Sequence, residues 1–277
     1  MLRSGLIGRA ILASRSPWLH EQEAHAQGLA LSYELFDFDA RNLSDGALSD
    51  VLADLKANGF SGFNVTYPFK QMVIPLLDEL GESARIVGAV NTVAIRSGRL
   101  IGHNTDMDGF RESVVEGLPD APLGHVLQLG AGGAGAAVAS ALLSLDVATL
   151  EIADIDPARS TTLAARLTGQ FGSDRVTARL DGDRSTDAVD GIVNTTPVGL
   201  ASNPGTPIDP ARISPRHWVA DIVYFPLETE LLRIARAKGC RTLDGSGMVI
   251  NQAAQAFEII TGKPADRNRM RASFFAD

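Results

Sequence analysis

Apolar and polar positions alternate along this chain in two successive series. From residue 5 to about residue 99, short β-like runs at 5–8, 32–38 and 62–65 alternate with helix-like stretches at 17–28, 43–58 and 68–80. This pattern predicts a small α/β domain. A second series starts at Gly124, with apolar strands at 125–129, 150–153, 191–194 and 218–222 separated by Ala- and Leu-rich helical segments near 134–145, 157–169 and 227–238. Strand and helix repeated in this way predict a parallel, doubly wound sheet. Between Gly245 and Gly262 the residues Met248, Ala253, Ala256, Phe257 and Ile260 fall on one helical face, so the chain is expected to return and cover the first domain.

The predicted strand 125–129 runs into Gly130-Ala131-Gly132-Gly133-Ala134-Gly135, and a helix follows. That is the setting a G-x-G-x-x-G loop needs: Gly130 for the tight turn, Gly132 for close approach of backbone to a pyrophosphate, Gly135 for helix-sheet packing. A glycine-rich turn serving helix packing alone is the competing reading. The next strand ends at Asp154, whose carboxylate can accept bonds from ribose hydroxyls and repel a 2′-phosphate, which favours NAD over NADP. Arg159 could contact a phosphate, against the plainer reading of a solvated first-turn residue, and Asp156 before Pro157 is expected to cap the helix.

The fold class expected is therefore α/β in two domains. An N-terminal α/β domain, 1–105, is completed by C-terminal helices at about 248–277, and a Rossmann-type dinucleotide-binding domain spans 106–247. The cleft between them is the expected ligand site.

With 45% hydrophobic and 21% charged residues, the 277-residue chain has the composition of a globular protein. A net charge of −8 without a Lys/Arg cluster argues against nucleic acid as main partner. No apolar run reaches the roughly 18 residues of a membrane span, and the first residues lack a signal-peptide core, so a cytoplasmic location is expected. The single cysteine, Cys240, excludes an internal disulfide and is read as packing before a strand. His20 and His25 share a predicted helix about 140° apart, and the other histidines stand singly, so no metal site is expected.

Four ordered segments, Ser14-Arg15-Ser16-Pro17, Asn64-Val65-Thr66-Tyr67-Pro68-Phe69-Lys70, Gly88-Ala89-Val90-Asn91-Thr92 and Gly102-His103-Asn104-Thr105-Asp106-Met107-Asp108-Gly109, together resemble the shikimate dehydrogenase family. The likeness continues through the glycine loop, Asn194-Thr195-Thr196-Pro197-Val198-Gly199, Asp221-Ile222-Val223-Tyr224 and Asp244-Gly245-Ser246-Gly247-Met248 with Gln252. It implies an N-terminal substrate domain, a C-terminal cofactor domain and reversible oxidation of shikimate to 3-dehydroshikimate. It further implies Lys70 and Asp106 as catalytic pair and Ser14, Ser16, Asn64, Thr66, Asn91, Tyr224 and Gln252 around the substrate. Cofactor contacts are implied for the stretch Gly130, Ala131, Gly132, Gly133, Ala134 and Gly135, and for Thr195, Pro197, Val223, Gly245 and Met248.

The residue chemistry is compatible with these roles. Hydride removal from a secondary alcohol needs a group to take the hydroxyl proton, and Lys70, in a first helical turn after Pro68, can do so with Asp106 beside it. Taken alone, Lys70 reads as a surface charge and Asp106 as a cap. Ser14 and Ser16 lie two apart, so in an extended segment both hydroxyls face one way and could bind a carboxylate; as the alternative, Ser16 is a plain N-cap. Asn64, Thr66, Asn91 and Gln252 offer the donors and acceptors a polyhydroxylated ring requires.

In Ala153-Asp154-Ile155-Asp156 the chain lacks the Asn-Arg-Thr/Ser run of NADP-dependent members, and Phe225 replaces a frequent Asn before Pro226. It is in this respect more similar to the NAD-using quinate/shikimate branch, although Ser16 matches the shikimate-using form where quinate users often carry threonine. The activity expected is NAD-preferring oxidation of shikimate, with quinate as a second substrate. The alternatives are an NADP-dependent biosynthetic shikimate dehydrogenase and a non-catalytic metabolite sensor, the latter expected to lack Lys70 or Asp106. A homodimer and a monomer are equally compatible with these motifs.

Overall fold

The computed structural model describes residues 1–172, 174–180 and 185–276. The last expected helical residue, Asp277, lies outside the described residues. The chain forms two compact units, Met1–Thr105 with Ile250–Asp277, and Asp106–Val249.

The first unit contains strands β1 (Leu2–Gly8), β2 (Leu31–Asp37), β3 (Gly62–Val65), β4 (Glu79–Leu80), β5 (Thr92–Arg96) and β6 (Arg99–His103). Its helices are α1 (Ser16–Ala26), α2 (Leu48–Ala57), α3 (Phe69–Met72) and α4 (Glu82–Val87). The sheet order is β2-β1-β3-β5-β6-β4, with β1 parallel to both neighbours, β5 antiparallel to both β3 and β6, and β4 parallel to β6. Ile7, Phe36, Phe63, Val65 and Val93 from the sheet, with Phe38 in the turn after β2, form one core with Leu48, Leu52 and Leu55 of α2, whose spacing of four and three places them on one stripe.

Two expectations fail here for local reasons. The helix expected over 68–80 stops after one turn at Met72, because Pro75 lacks an N–H and disfavours helical backbone at Ile74; a 3₁₀ turn and β4 follow. The β5–β6 hairpin was not expected, although Ser97 and Gly98 at its tip both take positive φ, 50° and 75°, as a two-residue primed turn requires.

The second unit opens within α5 (Thr105–Gly117), so Asp106 stands in a first helical turn. Strands β7 (His125–Leu129), β8 (Thr149–Ala153), β9 (Val176–Ala178), β10 (Gly191–Asn194), β11 (Trp218–Asp221) and β12 (Arg241–Leu243) alternate with α6 (Gly133–Ser144), α7 (Pro157–Phe171) and α8 (Glu230–Ala237). All six strands are parallel in the order β12-β11-β10-β7-β8-β9. Numbered from β7, this is 6-5-4-1-2-3, the doubly wound arrangement whose order reverses between β7 and β10. Strands β7, β10 and β11 are buried almost throughout, as a parallel sheet covered on both faces demands. Cys240 is buried just before β12, its thiol bonded to the Ser214 carbonyl at 3.2 Å.

The chain then returns to the first unit through α9 (Ser246–Thr261) and α10 (Arg267–Phe275). Phe257 lies 6.1 Å from the His20 ring, and a Cβ on Gly62 would meet Ile260 at 3.0 Å. Among the described residues, no helix is long and apolar enough to cross a membrane, and no group of three His, Cys, Asp or Glu is placed to hold a metal.

Candidate functional site

Gly130, directly after β7, has φ 105°, and a Cβ there would lie 2.6 Å from Thr195 Oγ1. A Cβ on Gly135 would approach the Gly130 carbonyl to 2.6 Å. These two glycines are required by the protein's own packing. Gly132 and Gly133 differ, because a Cβ at either would meet no protein atom within 4 Å. Gly132 is the N-cap of α6 without a side-chain cap, so the first amides and the positive end of a 12-residue helix face open space. That is the cradle a pyrophosphate would fill, and the residues present fit a dinucleotide. Ala131 and Ala134 are partly buried between these glycines.

Asp154, just beyond β8, accepts from Ala131 N at 2.7 Å through Oδ2 and from Asp156 N at 3.0 Å through Oδ1. Two amides thus fix the carboxylate beside the loop. Asp156 caps α7 by accepting from Ala158 N at 3.0 Å. The exposed Arg159 guanidinium turns to Asp156 at 3.5 Å.

Thr195 Oγ1 lies 2.8 Å from the Leu129 carbonyl and 2.9 Å from that of Gly130, which directs its hydroxyl to the underside of the loop. Gln128, a buried residue of β7 that periodicity reads only as core, donates to the Gly130 and Gly135 carbonyls at 2.9 Å each. Ile155 is fully exposed beside Asp154, an apolar surface next to the loop.

Asp221, at the end of β11, begins one of the segments that carry the family likeness, but the likeness assigns it no role. Its carboxylate accepts from Asn194 Nδ2 at 2.9 Å, Val223 N at 3.0 Å and Thr229 Oγ1 at 2.7 Å, joining the loops that carry Pro197 and Val223. Burial pushes its pKa up to about 6 against these bonds. Pro197 is exposed and Val223 buried, Gly245 packs where a Cβ would strike the Ile222 carbonyl at 2.5 Å, and Met248 is buried. The Tyr224 ring is partly exposed, yet burial and then the charge of Asp106 raise its phenol pKa.

In the first unit, Ser16 is the first residue of α1, so Ser14 and Ser16 do not share an extended segment. Their hydroxyls nevertheless meet at 3.1 Å, and Ser16 is not the N-cap, a position Arg15 takes without a side-chain bond. Asn64 Nδ2 donates to Thr92 Oγ1 at 2.9 Å and to the Asn91 carbonyl at 3.2 Å. Asn91 Nδ2 donates to Thr105 Oγ1 at 2.9 Å, and Thr105 Oγ1 lies 3.4 Å from Gln252 Oε1. The structure thus gathers Asn64, Asn91 and Gln252 into one polar cluster. Thr66 stands outside it, on the loop after β3, its amide bonded to the Ile7 carbonyl at 2.9 Å. Lys70 is half-buried in α3, and Asp106 is buried in α5.

Residues 6–93 match the shikimate dehydrogenase substrate binding domain, and residues 245–273 match the shikimate 5′-dehydrogenase C-terminal domain. A shikimate dehydrogenase (NADP(+)) of Arthrobacter sp. (strain FB24) is 49% identical over 98% of this chain and 93% of its own length. The chain belongs to the shikimate dehydrogenase family. A quinate/shikimate dehydrogenase (NAD(+)) of Corynebacterium efficiens is 47% identical, covering 98% of this chain and 97% of the relative. Among solved structures, quinate dehydrogenase from Corynebacterium glutamicum in complex with NAD superposes with TM-score 0.93 at 45% identity, over 99% of this chain and 98% of that one. The family is one of oxidoreductases, and its similar members divide between NAD and NADP in their names.

Proposed function

We propose that this protein is an NAD-preferring dehydrogenase that oxidises shikimate to 3-dehydroshikimate, with quinate to 3-dehydroquinate as a second reaction. The Asp154 carboxylate, held at the glycine loop by the amides of Ala131 and Asp156, carries the reading of the cofactor. A 2′-phosphate arriving there would meet a fixed negative charge, whereas ribose hydroxyls would find an acceptor.

In this reading the first unit, with its C-terminal helices, binds the substrate and the second binds the dinucleotide. The amides at the start of α6 receive the pyrophosphate, and Thr195, Pro197, Val223, Gly245 and Met248 shape the rest of that site. A bound nicotinamide dinucleotide would supply the hydride acceptor for the carbon that bears the reacting hydroxyl. Lys70 and Asp106 act as a pair on the hydroxyl proton, the carboxylate orienting the ammonium. Ser14 and Ser16 engage the ring carboxylate, and Asn64, Thr66, Asn91, Tyr224 and Gln252 surround the ring. The charge of −8 without a Lys/Arg cluster supports small molecules rather than nucleic acid as ligands, and the reading places the enzyme in the cytoplasm.

Initial rates of NADH or NADPH formation with shikimate and quinate, in all four pairings, test this. NAD with shikimate is expected to be fastest. A rate dominated by NADP would overturn the cofactor assignment, and inactivity in all four pairings would overturn the substrate class.

A further inference from the structure

Gln128 stands in β7, the strand that leads into the glycine loop, among the apolar residues Val126, Leu127 and Leu129. It is fully buried, and its side-chain oxygen Oε1 has no hydrogen-bond partner among the described residues. A buried amide oxygen without a donor costs stability that an apolar residue of the same volume would not. The nitrogen of the same amide, by contrast, is fully used, with its two N–H groups given to the carbonyls of Gly130 and Gly135 at 2.9 Å each.

Those carbonyls belong to two peptide units at opposite ends of the loop. In a trans peptide the N–H points away from the C=O, so a carbonyl drawn inward turns the following amide outward. The Gly130 carbonyl is drawn to Gln128, and on the far side of the same peptide the Ala131 amide donates to Asp154 Oδ2 at 2.7 Å. The Gly135 carbonyl is drawn to the same nitrogen, and the Ala136 amide of that peptide donates to the Gly132 carbonyl at 2.9 Å, closing the first turn of α6. One buried side chain thus grips both ends of the loop from beneath, and one of the two gripped peptides carries Asp154.

Thr195 supports the loop less firmly. Its hydroxyl has a single proton for two carbonyls, Leu129 at 2.8 Å and Gly130 at 2.9 Å. Gln128 gives Gly130 a donor of its own and so fixes the plane of the Gly130–Ala131 peptide. Asp154 depends on that plane, because the Ala131 amide is one of only two backbone groups that hold its carboxylate, the other being Asp156 N at 3.0 Å.

We infer that Gln128 is a positioning residue for cofactor selection, which acts through the Gly130–Ala131 peptide to hold the Asp154 carboxylate where it accepts from ribose hydroxyls and repels a 2′-phosphate. The preference for NAD then depends on a residue buried beneath the loop. The inference rests on the cofactor reading above.

Calorimetric titration of NAD and of NADP into the full-length protein tests it, through the ratio of Kd for NADP to Kd for NAD. Gln128→Met keeps the chain length and removes both donors together with the unpaired oxygen. The ratio is expected to fall about fivefold, the effect of one buried hydrogen bond. The melting temperature should equal or exceed that of wild type, since Gly130 keeps Thr195 and Gly135 keeps its helical bond, so no buried acceptor is stranded. In the Asp154→Ser background, Gln128→Met is expected to leave the ratio where Asp154→Ser alone puts it, because the carboxylate it positions is gone. Gln128→Leu, which matches the flanking Leu127 and Leu129, keeps the test decisive if Gln128→Met does not fold. A wild-type ratio in these variants, or a fall as large in the Asp154→Ser background, overturns the inference alone. A folded wild-type protein that binds NADP as tightly as NAD, or binds neither, overturns the cofactor reading and this inference with it.

Discussion

Asp154 and Asp221 are both carboxylates at strand ends in the second unit, and their surroundings give them different tasks. Asp154 is partly exposed and tied to two backbone amides, so its charge faces whatever occupies the glycine loop. Asp154→Ser is expected to raise the ratio of kcat/KM for NADP to that for NAD by about tenfold or more, since a fixed repulsion is removed. Asp221 is 1% exposed and its carboxyl titrates at about 6 instead of near 3.8. Because this pKa is raised, the folded protein binds the proton more tightly than the unfolded chain. The contribution of Asp221 to stability is full below about pH 4 and is lost as pH rises through 6, leaving a cost of about 3 kcal/mol at neutral pH. Asp221→Asn can keep the bonds to Asn194, Val223 and Thr229 without the charge. Urea midpoints should therefore favour the variant over wild type more at pH 8 than at pH 4.5, and a difference independent of pH would refute the assignment. At the reacting end, Lys70→Ala should lower kcat about a thousandfold with KM changed little, in the range of positioned acid-base groups.

The turn from β7 into α6 separates packing from binding within six residues. Gly130 sits at positive φ with Thr195 2.6 Å from where a Cβ would stand, so Gly130→Ala is expected to destabilise the protein by about 2 kcal/mol. Gly132 has φ −77° and open space around it. Gly132→Ala should therefore keep the wild-type melting temperature while raising KM for NAD about tenfold or more, the methyl group occupying the space a pyrophosphate needs. Equal thermal losses in the two variants would contradict this division. The same element was the most legible part of the chain, because its strand, loop and helix are contiguous and its signals local. The β5–β6 hairpin was equally local, and Ser97-Gly98 between two alternating runs could have revealed it; the break at Pro75 was readable from the missing N–H alone.

At the scale of the molecule, the first unit is closed by residues from the far end of the chain. Glu23 on α1 has a fully buried side chain that accepts from Arg269 at 2.7 and 2.8 Å, from Asp266 N at 2.9 Å and from Gln27 at 2.6 Å. Burial alone would raise its pKa, and these bonds outweigh it and hold the group low. Glu23→Ala strands those donors and should lower the melting temperature by about 5 °C or more. His20, on the same helix and 2% exposed, has its pKa depressed to about 4 by burial. It remains neutral when folded, so its contribution is present above about pH 6.5 and lost as pH falls toward 4. By itself the sequence determined the two alternating series, the parallel doubly wound sheet, the glycine loop and the acidic residue after β8, because periodicity, turn chemistry and composition act between near neighbours. Only the tertiary structure decided that Tyr33 meets Asn64, that Gln128 and Thr195 brace one loop, that Asp221 joins two others and that Glu23 meets Arg269. Tyr33 and Asn64, Thr195 and Leu129, Asp221 and Asn194, and Glu23 and Arg269 lie far apart along the chain, and a buried donor finds such an acceptor only when strand order and helix packing have brought the two together.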